Sequence, residues 1–222
     1  MTAHSFLDSG VLLAYCFTTD MHHLKCKSYL NGNDYQYYIS ERVEGEYEKK
    51  EYHLSTRYSD AILDHVSDLR KSKFDTDQQL GPMDVNEIQT NILSRSNPSF
   101  RFLSRFYSDH VPNFIQFSEL EETLRGLARD VEAHAMNRKN ELDQITAIWE
   151  RESEYPDIGR ALNAIHEQDR KICLDAHDLA SNKPEPTEFA TINPKDFLRD
   201  GRKDLILSTT ALSSIVSLAV TS

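Results

Sequence analysis

The chain has 222 residues and a formal net charge of -11. Its Leu, Ile, Val and Phe residues number 54, about a quarter of the total, which clears the roughly 20% below which chains stay disordered. A mean hydropathy of -0.58 allows only a modest core for this length. Seven glycines, with no GxGxxG or P-loop spacing, argue against a glycine-cradled nucleotide.

The charge weighs against a nucleic-acid surface only as a sum. Residues 1–58 carry -2, residues 59–170 carry -8 and residues 171–222 carry -1, so the ends are nearly neutral. Cys16, Cys26 and Cys173 form no CxxC pair, and their odd number speaks against a disulfide framework. The N-terminus lacks the basic and apolar regions of a signal peptide. Residues 205–222 carry no charge, but eight of these 18 are Ser or Thr, which suits a membrane span poorly. A cytoplasmic protein with no membrane contact is expected.

In chain order, the sequence predicts short strands at 5–7, 37–40, 113–117, 188–192 and 205–207. Helical spacing falls at 11–17, 58–69, 86–93, 118 to about 152, and 159–179. In the longest of these, Leu120, Leu124, Leu127, Val131, Ala135, Leu142, Ile145 and Trp149 step by threes and fours, behind Ser118 as N-cap. Strands alternating with helices predict an α/β fold, with a mostly parallel central sheet of about five strands flanked by helices. The whole chain reads as one domain, 1–222, with a helical insertion over 59–112.

Carboxylates collect where the predicted strands end. Asp8 follows the first strand, Glu46 follows the second by about one helical turn, Asp175 lies in the helix over 159–179, and Asn193 and Asp196 follow the fourth strand. In an open parallel sheet these carboxyl ends face the ligand crevice. Clustered carboxylates repel one another unless a cation screens them, and oxygen-only ligands suit Mg2+ or Mn2+. Such ions hold and polarise a phosphodiester, which is the chemistry of a metal-dependent nuclease.

Four motifs in order, Phe6-Leu7-Asp8-Ser9-Gly10-Val11-Leu12, Ser40 with Glu46, Asp175-Ala176-His177-Asp178-Leu179-Ala180, and Phe189-Ala190-Thr191-Ile192-Asn193-Pro194-Lys195-Asp196-Phe197, resemble a PIN domain. The resemblance covers roughly 1–60 and 110–215. It implies a PIN-like fold and a Mg2+- or Mn2+-dependent endoribonuclease acting on single-stranded RNA. Asp8, Glu46 and Asp175 become the metal ligands, with Asn193 and Asp196 completing the catalytic set. Asn193 stands where the family usually has Asp, which removes one negative charge and weakens any second metal site. Ser9 and Thr191 resemble hydroxyl residues that orient the carboxylates. Many bacterial and archaeal members are toxins with an antitoxin partner and dimerise, so an antitoxin and a homodimer follow from the resemblance. Asp8→Asn is then expected to abolish cleavage while changing stability by no more than about 1 kcal/mol.

Several residues admit another reading. Asp8 also suits a helix N-cap, Glu44 rivals Glu46, Asp178 rivals Asp175, and Asp196 suits a turn. His22, His23 and Cys26 read as helix surface and core, and His177 as packing. Arg95, Arg101 and Arg105 alternate with Phe100, Phe102, Phe106 and Tyr107, a combination that holds phosphates and stacks bases. The same pattern describes a helix with an aromatic core face and solvated arginines. A second functional reading is a PIN-derived binding module, weakened in catalysis by Asn193, whose acidic middle docks a protein partner. An all-helical scaffold is the third.

Overall fold

The computed structural model describes residues 3–32, 35–72, 74–94 and 101–220. The chain divides into two compact units. The first is built from Met1–Thr18, His22–Lys50 and Asn137–Ser222, and the second from Thr19–Met21 and Glu51–Met136.

The first unit is α/β, with five parallel strands in one sheet. Strand β1 (His4–Leu7) leads into α1 (Ser9–Cys16) and α2 (His23–Gly32), then β2 (Gln36–Ser40) and the start of α3 (Glu41–Arg70). In the second unit, α3 is followed by β3 (Gln79–Leu80), α4 (Pro82–Leu93), α5 (Arg101–His110), β4 (Ile115–Gln116) and α6 (Phe117–Ile145). The chain re-enters the sheet at β5 (Thr146–Trp149). It continues through α7 (Pro156–Ala161), α8 (Glu167–Asn182), β6 (Thr187–Thr191), α9 (Pro194–Phe197), α10 (Arg202–Thr209) and β7 (Ser214–Ser217).

The spatial order is β5-β2-β1-β6-β7. Connections run one way from β1 through β2 to β5, then return past β1 to β6 and β7. The order therefore reverses between β1 and β6, and a crevice opens at such a point beyond the carboxyl ends of the strands. Every residue of β1 and β6 is buried, as expected where helices cover both faces of a parallel sheet. Phe6 stacks on Phe189 with ring centroids 6.3 Å apart, and Phe197 meets Phe189 edge-on at 4.9 Å. These rings fix β1 and β6 side by side beneath the crevice.

Three predicted elements are corrected. Residues 146–149 are a strand rather than the end of a helix. Thr146, Ile148 and Trp149 suit a strand, and parallel pairing with Tyr37–Ser40 overrides the helical spacing of Ile145 and Trp149. Residues 205–207 lie inside α10, and the strand is Ser214–Ser217, whose partner is β6. An apolar run of three is too short to show a period, whereas Gly201 at φ 74° turns the chain into the helix. Ile115 and Gln116 do form a strand. Their partner, though, is Gln79–Leu80, in a two-stranded antiparallel ribbon of the second unit. Among the described residues no helix is long and apolar enough to cross a membrane.

Candidate metal and catalytic site

Asp8 is the residue after β1 and takes extended backbone angles, φ -77° and ψ 152°, at the entry to α1. It occupies the N-cap position, yet its side chain makes no capping hydrogen bond. The carboxylate instead turns to β6, where the Thr191 hydroxyl donates to Asp8 Oδ2 at 2.9 Å. Thr191 in turn accepts the Asn193 backbone N–H at 2.9 Å, so a two-bond relay holds the carboxylate in one orientation. The other oxygen, Oδ1, has no protein donor among the described residues. Gly10 makes this close approach of α1 to β6 feasible. A Cβ there would stand 2.7 Å from Ile192 Cγ1, closer than side chains tolerate.

Burial pushes the Asp8 carboxyl up to about 6; the Thr191 hydrogen bond opposes this, and the charges of Glu46 and Asp169 add to it. Asp169 is raised by burial and then by the charges of Asp196 and Glu46, with His166 and Lys50 opposing. The charges of Glu46 and Asp169 thus act on Asp8, and those of Asp196 and Glu46 on Asp169. Lys50 lies among them and is ion-paired to Glu46 one helical turn away. Glu44, the rival to Glu46, points elsewhere and pairs with Lys139 at 3.5 Å. The Asn193 side-chain amide donates to Asp196, whose carboxylate is also paired with Arg202 at 3.6 Å. Ser9 is buried at the first position of α1 and makes no side-chain hydrogen bond to Asp8, so orientation falls to Thr191 rather than to both hydroxyls.

Asp175 is engaged by two arginines, while its charge, behind burial and the charges of Asp169 and Asp8, also raises the Cys173 thiol. Its carboxylate is 3.4 Å from Arg42 Nε and 3.5 Å from Arg151 Nη1, and it accepts a hydrogen bond from Ser40. Burial raises its pKa, and those partners offset part of the rise. Asp169 on α8 adds its charge to Asp8, and no strand-end motif in the sequence singles it out. The two aspartates are six residues apart, about 120° around the helix and roughly 9 Å along it. A signal was present. Asp169, Ile172, Cys173 and Ala176 fall at i, i+3, i+4 and i+7, and the last three are buried. Asp169 is half-buried one turn before that stripe, whereas Asp175 is itself buried, among residues 172–179.

Asp178, the other rival, is an anchor. It is fully buried and accepts Trp149 Nε1–H at 2.9 Å, the Glu152 N–H at 3.1 Å and the Tyr155 hydroxyl at 2.8 Å. Burial would raise its carboxyl, but these donors outweigh burial and hold it below the ordinary Asp range. Stability from this group is therefore present above the unfolded-state pKa and lost as pH falls through the depressed folded value. Asp178→Ala strands three donors and is expected to cost about 3 kcal/mol or more. The emission of Trp149, the only tryptophan, reads the loss during denaturant unfolding.

The histidines and Cys26 behave as core and surface groups. His177 Nδ1 accepts the Ala211 N–H at 2.9 Å, and its ring meets Tyr155 edge-on at 4.4 Å. His23 Nδ1 bonds the Ala14 carbonyl at 3.0 Å, His22 Nδ1 accepts the Val220 N–H at 2.9 Å, and Cys26 is buried. In the predicted RNA-binding stretch, Arg95 and the side chain of Arg101 lie outside the described residues. Arg105 is 3.9 Å from Asp109, while Phe102 and Tyr107 are buried. Those two aromatic faces fill the core of the second unit and are not offered to bases.

Asp8, Glu46, Asp169 and Asp196 offer only oxygen donors, a chemistry that fits Mg2+ or Mn2+. Among the described residues no three His, Cys, Asp or Glu side chains already stand close enough together to hold an ion. Comparison with protein-family models, with curated proteins and with solved structures returns no match.

Proposed function

We propose that the chain is a PIN-type, metal-dependent endoribonuclease hydrolysing phosphodiester bonds of single-stranded RNA. The observation that carries this reading is the buried carboxylate of Asp8. It stands beyond β1 at the reversal of strand order, is not used as a helix cap, and is pushed up to about 6 with Glu46 and Asp169 adding their charge. Repulsion of this kind costs stability, and a divalent cation relieves it.

Asp8, Glu46 and Asp169 would hold Mg2+ or Mn2+, with Asp196 at the margin. The ion supplies polarisation of the phosphoryl oxygens and a more acidic water. Thr191, itself fixed by the Asn193 N–H, fixes Asp8 Oδ2 and leaves Oδ1 to face ligand. The buried Phe6, Phe189 and Phe197 keep the floor of the crevice rigid and dry.

Incubation of pooled single-stranded RNA with Mn2+, and with EDTA, tests the proposal. Cleavage only with Mn2+, leaving 5′-phosphate ends and no 2′,3′-cyclic phosphate, is the expected result, because water rather than the ribose 2′-hydroxyl attacks. Absence of cleavage with any divalent ion sinks it. A PIN-derived binding module docking a protein partner is the second reading. It is favoured by Asn193, which removes one acid, and by the separation of the carboxylates. The antitoxin partner and the homodimer rest on the resemblance alone.

A further inference from the structure

Two cavities meet at Arg42. One, of about 620 Å3, lies between Ser40, Arg42, Trp149, Arg151 and Asp175. It holds four carboxylates, of Glu41, Glu150, Glu154 and Asp175, against two guanidinium groups, a balance that repels a phosphate. The other, a groove of about 520 Å3, runs between the first turns of α3 and α8 and includes Glu46. Its charged lining is Arg42, Lys49 and Lys171 against Glu41 and Glu46. The lining thus carries one more basic than acidic group in a chain with a net charge of -11. Arg42 is paired to Asp175 and Lys171 to Glu167, and the groove reaches the other acids through Glu46.

The two walls are regular. Arg42, Glu46 and Lys49 follow one face of α3 at i, i+4 and i+7, about 10 Å in rise, and Gln168 and Lys171 face them from α8. Arg42 is held in place by buried Asp175 at 3.4 Å. Lys49 makes no ion pair among the described residues, and Lys171 pairs only with Glu167 of its own helix.

We infer that the α3–α8 groove is the track of the single-stranded RNA. Lys49 and Lys171 contact backbone phosphates beside the one at the acid cluster, and Arg42 closes the far end. The register along the strand rests on the nuclease reading, whereas the binding surface does not. Contacts of this kind bind the sugar-phosphate chain whatever its bases, and their strength falls with salt.

Anisotropy of a labelled oligouridine on the full chain in EDTA tests the groove separately from cleavage. The variant Lys49→Gln/Lys171→Gln is expected to bind about tenfold or more weakly at low salt. The slope of log K against log salt should become shallower by about 1.4, two phosphate contacts at roughly 0.7 each. Lys49→Arg/Lys171→Arg should retain binding, and Lys203→Gln, on exposed α10, should bind as the wild type does. Unchanged affinity in the double Gln variant overturns the groove, as does an equal loss in Lys203→Gln or no binding by the wild type. Loss of Mn2+-dependent cleavage with this binding pattern intact sinks the nuclease reading and leaves the groove standing.

Discussion

Asp169→Asn is expected to remove Mn2+-dependent cleavage by at least about a hundredfold, close to 2.7 kcal/mol of barrier, while Asp175→Asn retains it. The two substitutions are chemically identical and lie six residues apart on α8, so the contrast isolates position. Asp169 contributes charge to the cluster around Asp8, and its own carboxyl is raised by burial, Asp196 and Glu46. Neutralising it removes repulsion as well as a proposed ligand, so the folded state should be no weaker at neutral pH without metal. Asp175→Asn leaves Arg42 and Arg151 without their anion in a partly buried setting, and should cost about 1–3 kcal/mol. Parallel urea melts and cleavage assays of both variants decide the matter. Loss of cleavage in Asp175→Asn, with Asp169→Asn active, would restore Asp175 as the ligand.

Asp8→Asn should abolish cleavage and, in EDTA at pH 7.5, make the protein more stable by about 1–3 kcal/mol. From sequence alone this change is expected to be nearly neutral; burial beside Glu46 and Asp169 gives it a sign. The Asp8 carboxyl is near 6 in the folded protein against an ordinary 3.8, so the folded state holds the proton more tightly. Its contribution is fully present below the ordinary value and is lost as pH rises through about 6. Wild-type stability should therefore carry a downward component between about pH 4 and pH 7 that Asp8→Asn lacks. Mn2+ should restore the loss in the wild type and not in the variant. A variant less stable than wild type at pH 7.5 without metal would mean that Asp8 serves the fold through its charge, as a structural carboxylate does.

The parallel α/β architecture was legible because its strands are short and apolar and its helices keep their spacing. Asp8, Thr191 and Asn193 were legible for the same reason, since each sits within two residues of a strand end and a strand end fixes direction. Glu46 was placed by its distance from Ser40, with Lys139 drawing the rival Glu44 away. On α8 the sequence offered Asp175 and Asp178 as candidates and did not single out Asp169. On a helix a carboxylate's direction follows from its angle around the axis, and a local motif frame does not record that angle.

What the sequence by itself determined is the alternation of β1, β2 and β6 with helices, and an acid following the first strand; both rest on local periodicity and on strand ends. Tertiary structure alone decided that Thr146–Trp149 leaves the helix to pair with β2, because strand pairing outweighs a weak helical period. It also decided the partners of the acids. Asp175 is drawn to Arg42 and Arg151 and Asp178 to Trp149 and Tyr155, while Asp169 adds its charge to Asp8. The net charge of -11 belongs to the chain as a whole, whereas folding gathers Arg42, Lys49 and Lys171 into one groove, since charge acts over ångströms and not along sequence.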